Sequence, residues 1–171
     1  LNVQVANRTL DKPDSYDPQL LLLQERGQRH EENYIEHLRN IGCQITVIEG
    51  VNISDASVEA TKTAMAAGNE YIVQAALKHE RWVGRADISR RVETPSSLGS
   101  YSYEIIDTKL ARETKGGSVS QLCLYADLLA KVQGCAPEYM YVVSPWSYFV
   151  SQKFRFSDYS TYYRGVKSAA E

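Results

Sequence analysis

The sequence predicts an α/β fold, with a central mixed β-sheet flanked by helices. Three observations carry this. A long helical face runs between Asp17 and Gly42, strand-like runs fill the stretch from Glu70 to Lys109, and a helix, two strands and a last helix follow. Strands that come first as a block and then alternate with helices fit a mixed sheet better than a purely parallel one.

The elements follow in order. Before residue 17 only Val3 and Val5 hint at a short strand. Asp17-Pro18 is a helix start, with an acid at the cap and proline in the first turn. Leu20, Leu23, Gly27, His30, Tyr34, Leu38 and Ile41 then recur every three or four residues, which is one helical face, and Gly42 is its stop. Residues 44–49 read as a strand, and Ser54 or Asp55 caps a helix that runs to about Ala67 and closes at Gly68. The runs 70–77 and 81–92 are strands, joined as a hairpin through Lys78-His79-Glu80. Trp82, Gly84 and Ala86 share one face of the second run, and Val83, Arg85 and Asp87 the other, unless a bulge intervenes. Gly84 marks such a bulge or a close backbone approach. Residues 93–100 form a turn-rich loop, 103–109 the central strand and 110–117 a polar connection. Ser118 opens a helix to about Gln133, with Gly134 as its stop. Residues 137–143 and 149–156 are strands, and Ser157 caps the last helix.

A length of 171 residues is enough for one domain with a real core. The chain starts at Leu1, and we expect 1–171 to be a single domain cut from a longer chain. The net charge of −2 excludes a generally basic nucleic-acid coat and leaves a local basic cleft open. No apolar run is long enough to span a membrane, so no membrane partner is expected. Cys43, Cys123 and Cys135 contain no C-x-x-C pair. That argues against a zinc or iron–sulfur site and fits a reducing compartment, the cytoplasm.

The chemistry gathers at the end of the central strand. Side chains two apart on a strand project to one side, so Asp107 and Lys109 point together and Thr108 points away. Such a pair is most often an exposed strand end. The alternative is a carboxylate that holds a divalent cation beside a lysine that steadies an anionic substrate. Asp87 lies on the preceding strand, within reach of Asp107. Two close carboxylates repel unless a cation stands between them. His30 sits inside the apolar stripe of the first helix, where a histidine is by default a satisfied core residue. Its functional role would be a metal ligand, with Gly27 giving room one turn before. Glu31 borders the same stripe, while Glu32 and Glu36 read as solvated. Gln121 completes a capping box with Ser118, and Tyr125 reads as a helix-to-sheet packing aromatic. Mixed carboxylate and imidazole ligation suits Mn²⁺ and tolerates Mg²⁺.

Taken together, these pieces resemble the RecB-like branch of the PD-(D/E)XK nuclease superfamily. The matching segments are Arg26-Gly27-Gln28-Arg29-His30-Glu31 on the first helix, Gly84-Arg85-Ala86-Asp87 on a strand and Asp107-Thr108-Lys109 at the end of the next. Gln121-Leu122-Cys123-Leu124-Tyr125 then matches the branch's Q-x-x-x-Y motif on the following helix. The motif core covers about residues 20–145. The run from Ala66-Ala67-Gly68 to Ala75-Ala76 is similar to a subgroup of uncharacterised RecB-like nucleases in which this domain precedes helicase or further nuclease modules.

The resemblance implies a restriction-endonuclease-like core that carries its site on one edge of the sheet. It makes Asp87 and Asp107 metal ligands for Mg²⁺ or Mn²⁺, with the Thr108 carbonyl and His30 completing the shell. Lys109 would position or help deprotonate the attacking water, and Gln121 and Tyr125 would orient it or the DNA. Arg85, Arg112 and Lys115 are candidates for backbone phosphates, Lys115 first because it precedes a helix N-terminus. The expected activity is metal-dependent hydrolysis of DNA phosphodiester bonds, exonuclease-like, in DNA repair, recombination or processing. The competing readings are a catalytically idle nucleic-acid-binding or scaffolding domain of the same fold, and an unrelated α/β domain with an accidental match. Two features depart from the family pattern. Ala86 stands where the superfamily's name has proline, and no cysteine precedes Cys43 or follows Cys135, so the iron–sulfur cluster of some relatives is not expected.

Overall fold

The computed structural model describes residues 17–110 and 116–171. Val3, Val5, Arg112 and Lys115 lie outside the described residues.

Helix α1 spans Pro18–Asn40. Asp17 caps it by accepting the Gln19 amide at 2.9 Å, and Pro18 occupies the first turn, where no donor is missed. The helix ends against Gly42, whose φ of +92° turns the chain away. Strand β1 (Ile45–Val47) and helix α2 (Asp55–Ala66) follow, the latter closed at its start by reciprocal bonds between Ser54 and Ser57. Strands β2 (Tyr71–His79), β3 (Trp82–Val92) and β4 (Ser102–Thr108) come next, then helix α3 (Gly116–Gln133), strand β5 (Tyr139–Val143), a short 3₁₀ turn (Pro145–Ser147), strand β6 (Ser151–Arg155) and helix α4 (Phe156–Ala169).

The predicted class holds. One mixed sheet of six strands runs in the order β1–β2–β3–β4–β5–β6, with β1–β2 and β4–β5 parallel and the other pairs antiparallel. Helices cover both faces. On one, Ile72, Ala75, Leu77, Ala86, Tyr103 and Ile105 pack beneath Leu122, Ala126 and Leu129 of α3, with Met65 of α2 and Tyr163 of α4 in the same core. On the other, Tyr34, Ile35 and Leu38 of α1 cover Val73, Ile88, Ile106 and Val143. Among the described residues no helix is long and apolar enough to cross a membrane.

Several element ends differ from expectation for local reasons. The hairpin turns at Glu80 and Arg81, because His79 pairs with Trp82 and Glu80 takes a φ of +53°. Helix α3 is already running at Gly116, so Ser118 lies inside it. Helix α4 begins at Phe156, whose amide donates to Glu138 O, so the helix starts one residue before Ser157. Strand β6 starts only at Ser151, because Tyr148 and Phe149 both adopt left-handed backbone angles and turn the chain first. The apolar stripe of α1 is buried from His30 to Leu38, whereas Leu21, Leu22 and Leu23 are 42–54% exposed.

Candidate active site

Strict alternation in β2 and β3 breaks at one level of the sheet. Val73 belongs to the core under α1, yet Ala75, two residues on, belongs to the core under α3. Across the hairpin Ala86 and Ile88 are divided in the same way. The residues between them, Gln74 and Asp87, face each other and are skipped in the pairing register. Gln74 has a φ of +58°, a left-handed conformation that a non-glycine residue adopts at a cost of about 1–3 kcal/mol. This is not the bulge expected at Gly84, since one residue is skipped in each strand, and the irregularity sits at Gln74 and Asp87. Gly84 serves the other function expected of it, a close approach: a Cβ there would stand 2.5 Å from the Tyr125 ring.

This break aims Asp87 at the end of β4. The β3–β4 ladder stops at Ile88↔Ile106, and one further step would place Asp87 opposite Asp107. The strands instead exchange a side chain. Asp87 Oδ2 accepts the Thr108 amide at 2.8 Å and the Thr108 hydroxyl at 2.9 Å. The two carboxyl groups come within hydrogen-bonding reach. Because β3 and β4 lie in the middle of the sheet, the site sits where β4 ends beneath the projecting β2–β3 hairpin, and not on a lateral edge strand.

Asp107 is 2% exposed. Burial holds its carboxyl well above the usual range, the Asp87 charge raises it further, and Lys109 pulls it back only in part. Lys109 Nζ stands 2.9 Å from the buried Asp107 Oδ2 as an ion pair, off the alignment of a full hydrogen bond. The lysine's aligned bond runs to Gln121 Oε1 at 3.1 Å. Gln121 Nε2 donates in turn to the Tyr125 hydroxyl at 2.6 Å. Gln121 therefore joins lysine to tyrosine rather than capping its helix. Burial pushes the Tyr125 hydroxyl up to about 12, so it stays protonated at neutral pH.

Glu31 joins the cluster from α1. Its carboxyl is pushed up to about 7 by burial and by the Asp87 charge. Gln74 donates to Glu31 Oε1 and holds it there. Sequence reasoning kept Glu31 only as a neighbour of the stripe and missed Gln74. The one signal for Gln74 was a lone amide inside the apolar run Tyr-Ile-Val-Gln-Ala-Ala-Leu. His30 is buried, and its Nε2 lies 2.9 Å from Val143 O, the carbonyl that also accepts the Lys109 amide at 3.0 Å. Arg85 turns its guanidinium to the carbonyls of Gly50 and Asn52.

The donor set fits a small hard cation. Mg²⁺ is commonly held by one or two carboxylates while it keeps several waters. Asp87 and Asp107 supply those carboxylates, and Asp107 Oδ2, which has the Lys109 ion pair but no aligned hydrogen bond, is an atom that such an ion would contact. Among the described residues no three His, Cys, Asp or Glu side chains stand close enough to hold a metal ion together, so His30 and Glu31 do not form a ligand group with Asp87 and Asp107. No family model matches the sequence, and a search of curated proteins finds no match.

Proposed function

We propose that the chain is a divalent-metal-dependent nuclease of the RecB-like, restriction-endonuclease-like kind, hydrolysing DNA phosphodiester bonds. One observation carries the reading: Asp87, Asp107, Lys109, Gln121 and Tyr125 come from a strand, a strand end and a helix, yet form one connected cluster. A structural salt bridge would not need a second carboxyl group against the first, where burial and the Asp87 charge hold Asp107 well above its usual range.

In this reading Asp87 and Asp107 hold Mg²⁺ or Mn²⁺, with the Thr108 carbonyl as a further candidate ligand; His30 would have to give up the bond from Nε2 to Val143 O to join them through that nitrogen. A bound ion supplies Lewis acidity at the phosphoryl oxygen and a nucleophile near neutral pH. The protein's own groups do the rest. Thr108 fixes the Asp87 carboxylate through two donated bonds. Gln121 anchors the Lys109 ammonium beside Asp107, where it can steady phosphoryl charge or the attacking water. The Tyr125 hydroxyl keeps Gln121 from rotating. Gln74 holds Glu31 where it feels the Asp87 charge.

The test is cleavage of end-labelled single- and double-stranded DNA with Mn²⁺, Mg²⁺ or EDTA, comparing wild type with Asp107→Ala and Lys109→Ala. Metal-dependent cutting that both substitutions abolish is the expected result. No cutting, with no metal-induced rise in melting temperature, would overturn it in favour of an idle binding domain.

A further inference from the structure

Among the described residues β6 pairs with β5 alone and ends the sheet on that side. One bond fixes which way its backbone groups point. The Phe156 amide donates to Glu138 O at 3.0 Å, so the ladder is hydrogen-bonded at that level. Bonded and non-bonded pairs alternate along an antiparallel ladder. Phe154 and Gln152, opposite Met140 and Val142, therefore turn their backbone groups to β5. Ser151, Lys153 and Arg155 turn theirs outward, and among the described residues no loop backbone bonds to any of the three.

The side chains of this edge are charged on one face and apolar on the other. Lys153 stands beside Tyr141 and Arg155 beside Tyr139. Lys153 Nζ lies 3.6 Å from the centroid of the Tyr139 ring, and Arg155 donates to the Tyr139 hydroxyl at 3.3 Å. Both cations are exposed, and among the described residues neither has a carboxylate at ion-pair distance. Glu138 and Asp158 act on Arg155 only from farther off. Glu104, two strands in, is 6% exposed and cannot meet a strand at the edge. Phe154 points to the opposite face, half-buried against Tyr159. A strand added here would place alternate side chains beside Lys153 and Arg155 on one face and beside Phe154 on the other. A second copy fits poorly, because antiparallel pairing about Lys153 sets that lysine against its own counterpart. Lysine on an edge discourages such self-pairing.

We propose that β6 is a docking edge for an extended acidic segment of a partner protein. The segment adds as a further strand, with carboxylates against Lys153 and Arg155 and apolar side chains beside Phe154. β6 lies two strands from β4, so this edge stands or falls apart from the nuclease reading.

The experiment measures anisotropy of the fluorescein-labelled peptide Ser-Glu-Val-Glu-Val-Glu-Ser with the 171-residue chain. Saturable binding is expected. Two further probes carry N-methyl groups on the Glu amides or on the Val amides, which removes backbone donors and leaves every charge in place. One of the two should bind about 10-fold more weakly, and which one gives the direction of the added strand. Lys153→Glu with Arg155→Glu should weaken the acidic peptide about 10-fold and let the matching lysine peptide, Ser-Lys-Val-Lys-Val-Lys-Ser, bind in its place. That gain shows that the variant is folded. Hydrogen exchange should slow at the Ser151, Lys153 and Arg155 amides when the acidic peptide is bound. The proposal fails if no saturable binding is seen, or if both methylated probes bind within twofold of the parent, which is charge attraction without strand addition. Protection confined to other amides, or self-association through β6 in the absence of peptide, would also overturn it.

Discussion

The ring of Tyr125 fills the space where a side chain at Gly84 would stand, with Cε1 2.5 Å from the position of a Cβ there. Tyr125 is buried and cannot swing aside cheaply. Gly84→Ala should therefore displace the ring, at a cost of about 1–3 kcal/mol for an overpacked site. The same displacement breaks the Tyr125–Gln121 bond. The expected outcome is a Tm a few degrees lower together with a loss of cleavage larger than the folding defect explains. Gly84→Ala that lowers Tm but cuts at the wild-type rate would remove Tyr125 from the site.

Gln121 links the lysine to that tyrosine, through bonds of 3.1 and 2.6 Å. Gln121→Ala should leave the Lys109 ammonium tethered to Asp107 alone, 2.9 Å away. Outer-shell residues of this kind typically change activity by about 10–100-fold. We expect the rate to fall in that range while metal-induced stabilisation persists, because the two carboxylates are untouched. Loss of the metal effect as well would show that Gln121 shapes the ion site itself.

How far the sequence disclosed this arrangement depends on range. Period and caps gave the helices, since Asp17-Pro18, Gly42 and Gly134 act within a turn of where they stand. The meeting of Asp87 with Asp107 was legible as a possibility, because adjacent strands tend to pair. The reason they meet was not. The face switch between Ala86 and Ile88 is matched by one between Val73 and Ala75, and a matched irregularity in two strands leaves no periodic trace in either alone. Gln74, with its left-handed backbone, is not a residue from which such an angle would be read. The placement of Gln121 failed for the opposite reason: a local capping pattern with Ser118 looked complete, and the tertiary bond to Lys109 overrode it.

Thr108 offers a separable contribution. Its hydroxyl and its amide both donate to Asp87 Oδ2. Thr108→Val keeps the shape and the amide and removes the hydroxyl bond. Hydrogen bonds to charged groups contribute about 1.5–3 kcal/mol, so a Tm loss of several degrees is expected. With Asp87 freer to rotate, the Mn²⁺ concentration giving half-maximal stabilisation should rise about 10-fold. Isothermal titration of both proteins would check this, and an unchanged metal affinity would show that the amide alone positions Asp87.

The acid held by Gln74 gives the pH prediction. The Glu31 carboxyl is raised from 4.5 to about 7, chiefly by burial and then by Asp87. A carboxyl whose folded value lies above its unfolded one favours the folded state fully below the unfolded value. That contribution is lost as pH rises through the folded value. Between about pH 4.5 and 7, ionisation of Glu31 should therefore erode stability. Glu31→Gln removes the charge and keeps an oxygen acceptor for Gln74. The variant should match wild type in Tm near pH 4 and exceed it at pH 8 by about 1–2 kcal/mol, a discounted value for a carboxyl that remains partly solvated. Mn²⁺ should narrow that gap at pH 8, since a cation beside Asp87 relieves the repulsion that raises Glu31. Parallel thermal melts of the two proteins at both pH values, with and without Mn²⁺, decide it. Equal Tm values at pH 8 would show that Glu31 is hydrated and stands outside the carboxylate cluster.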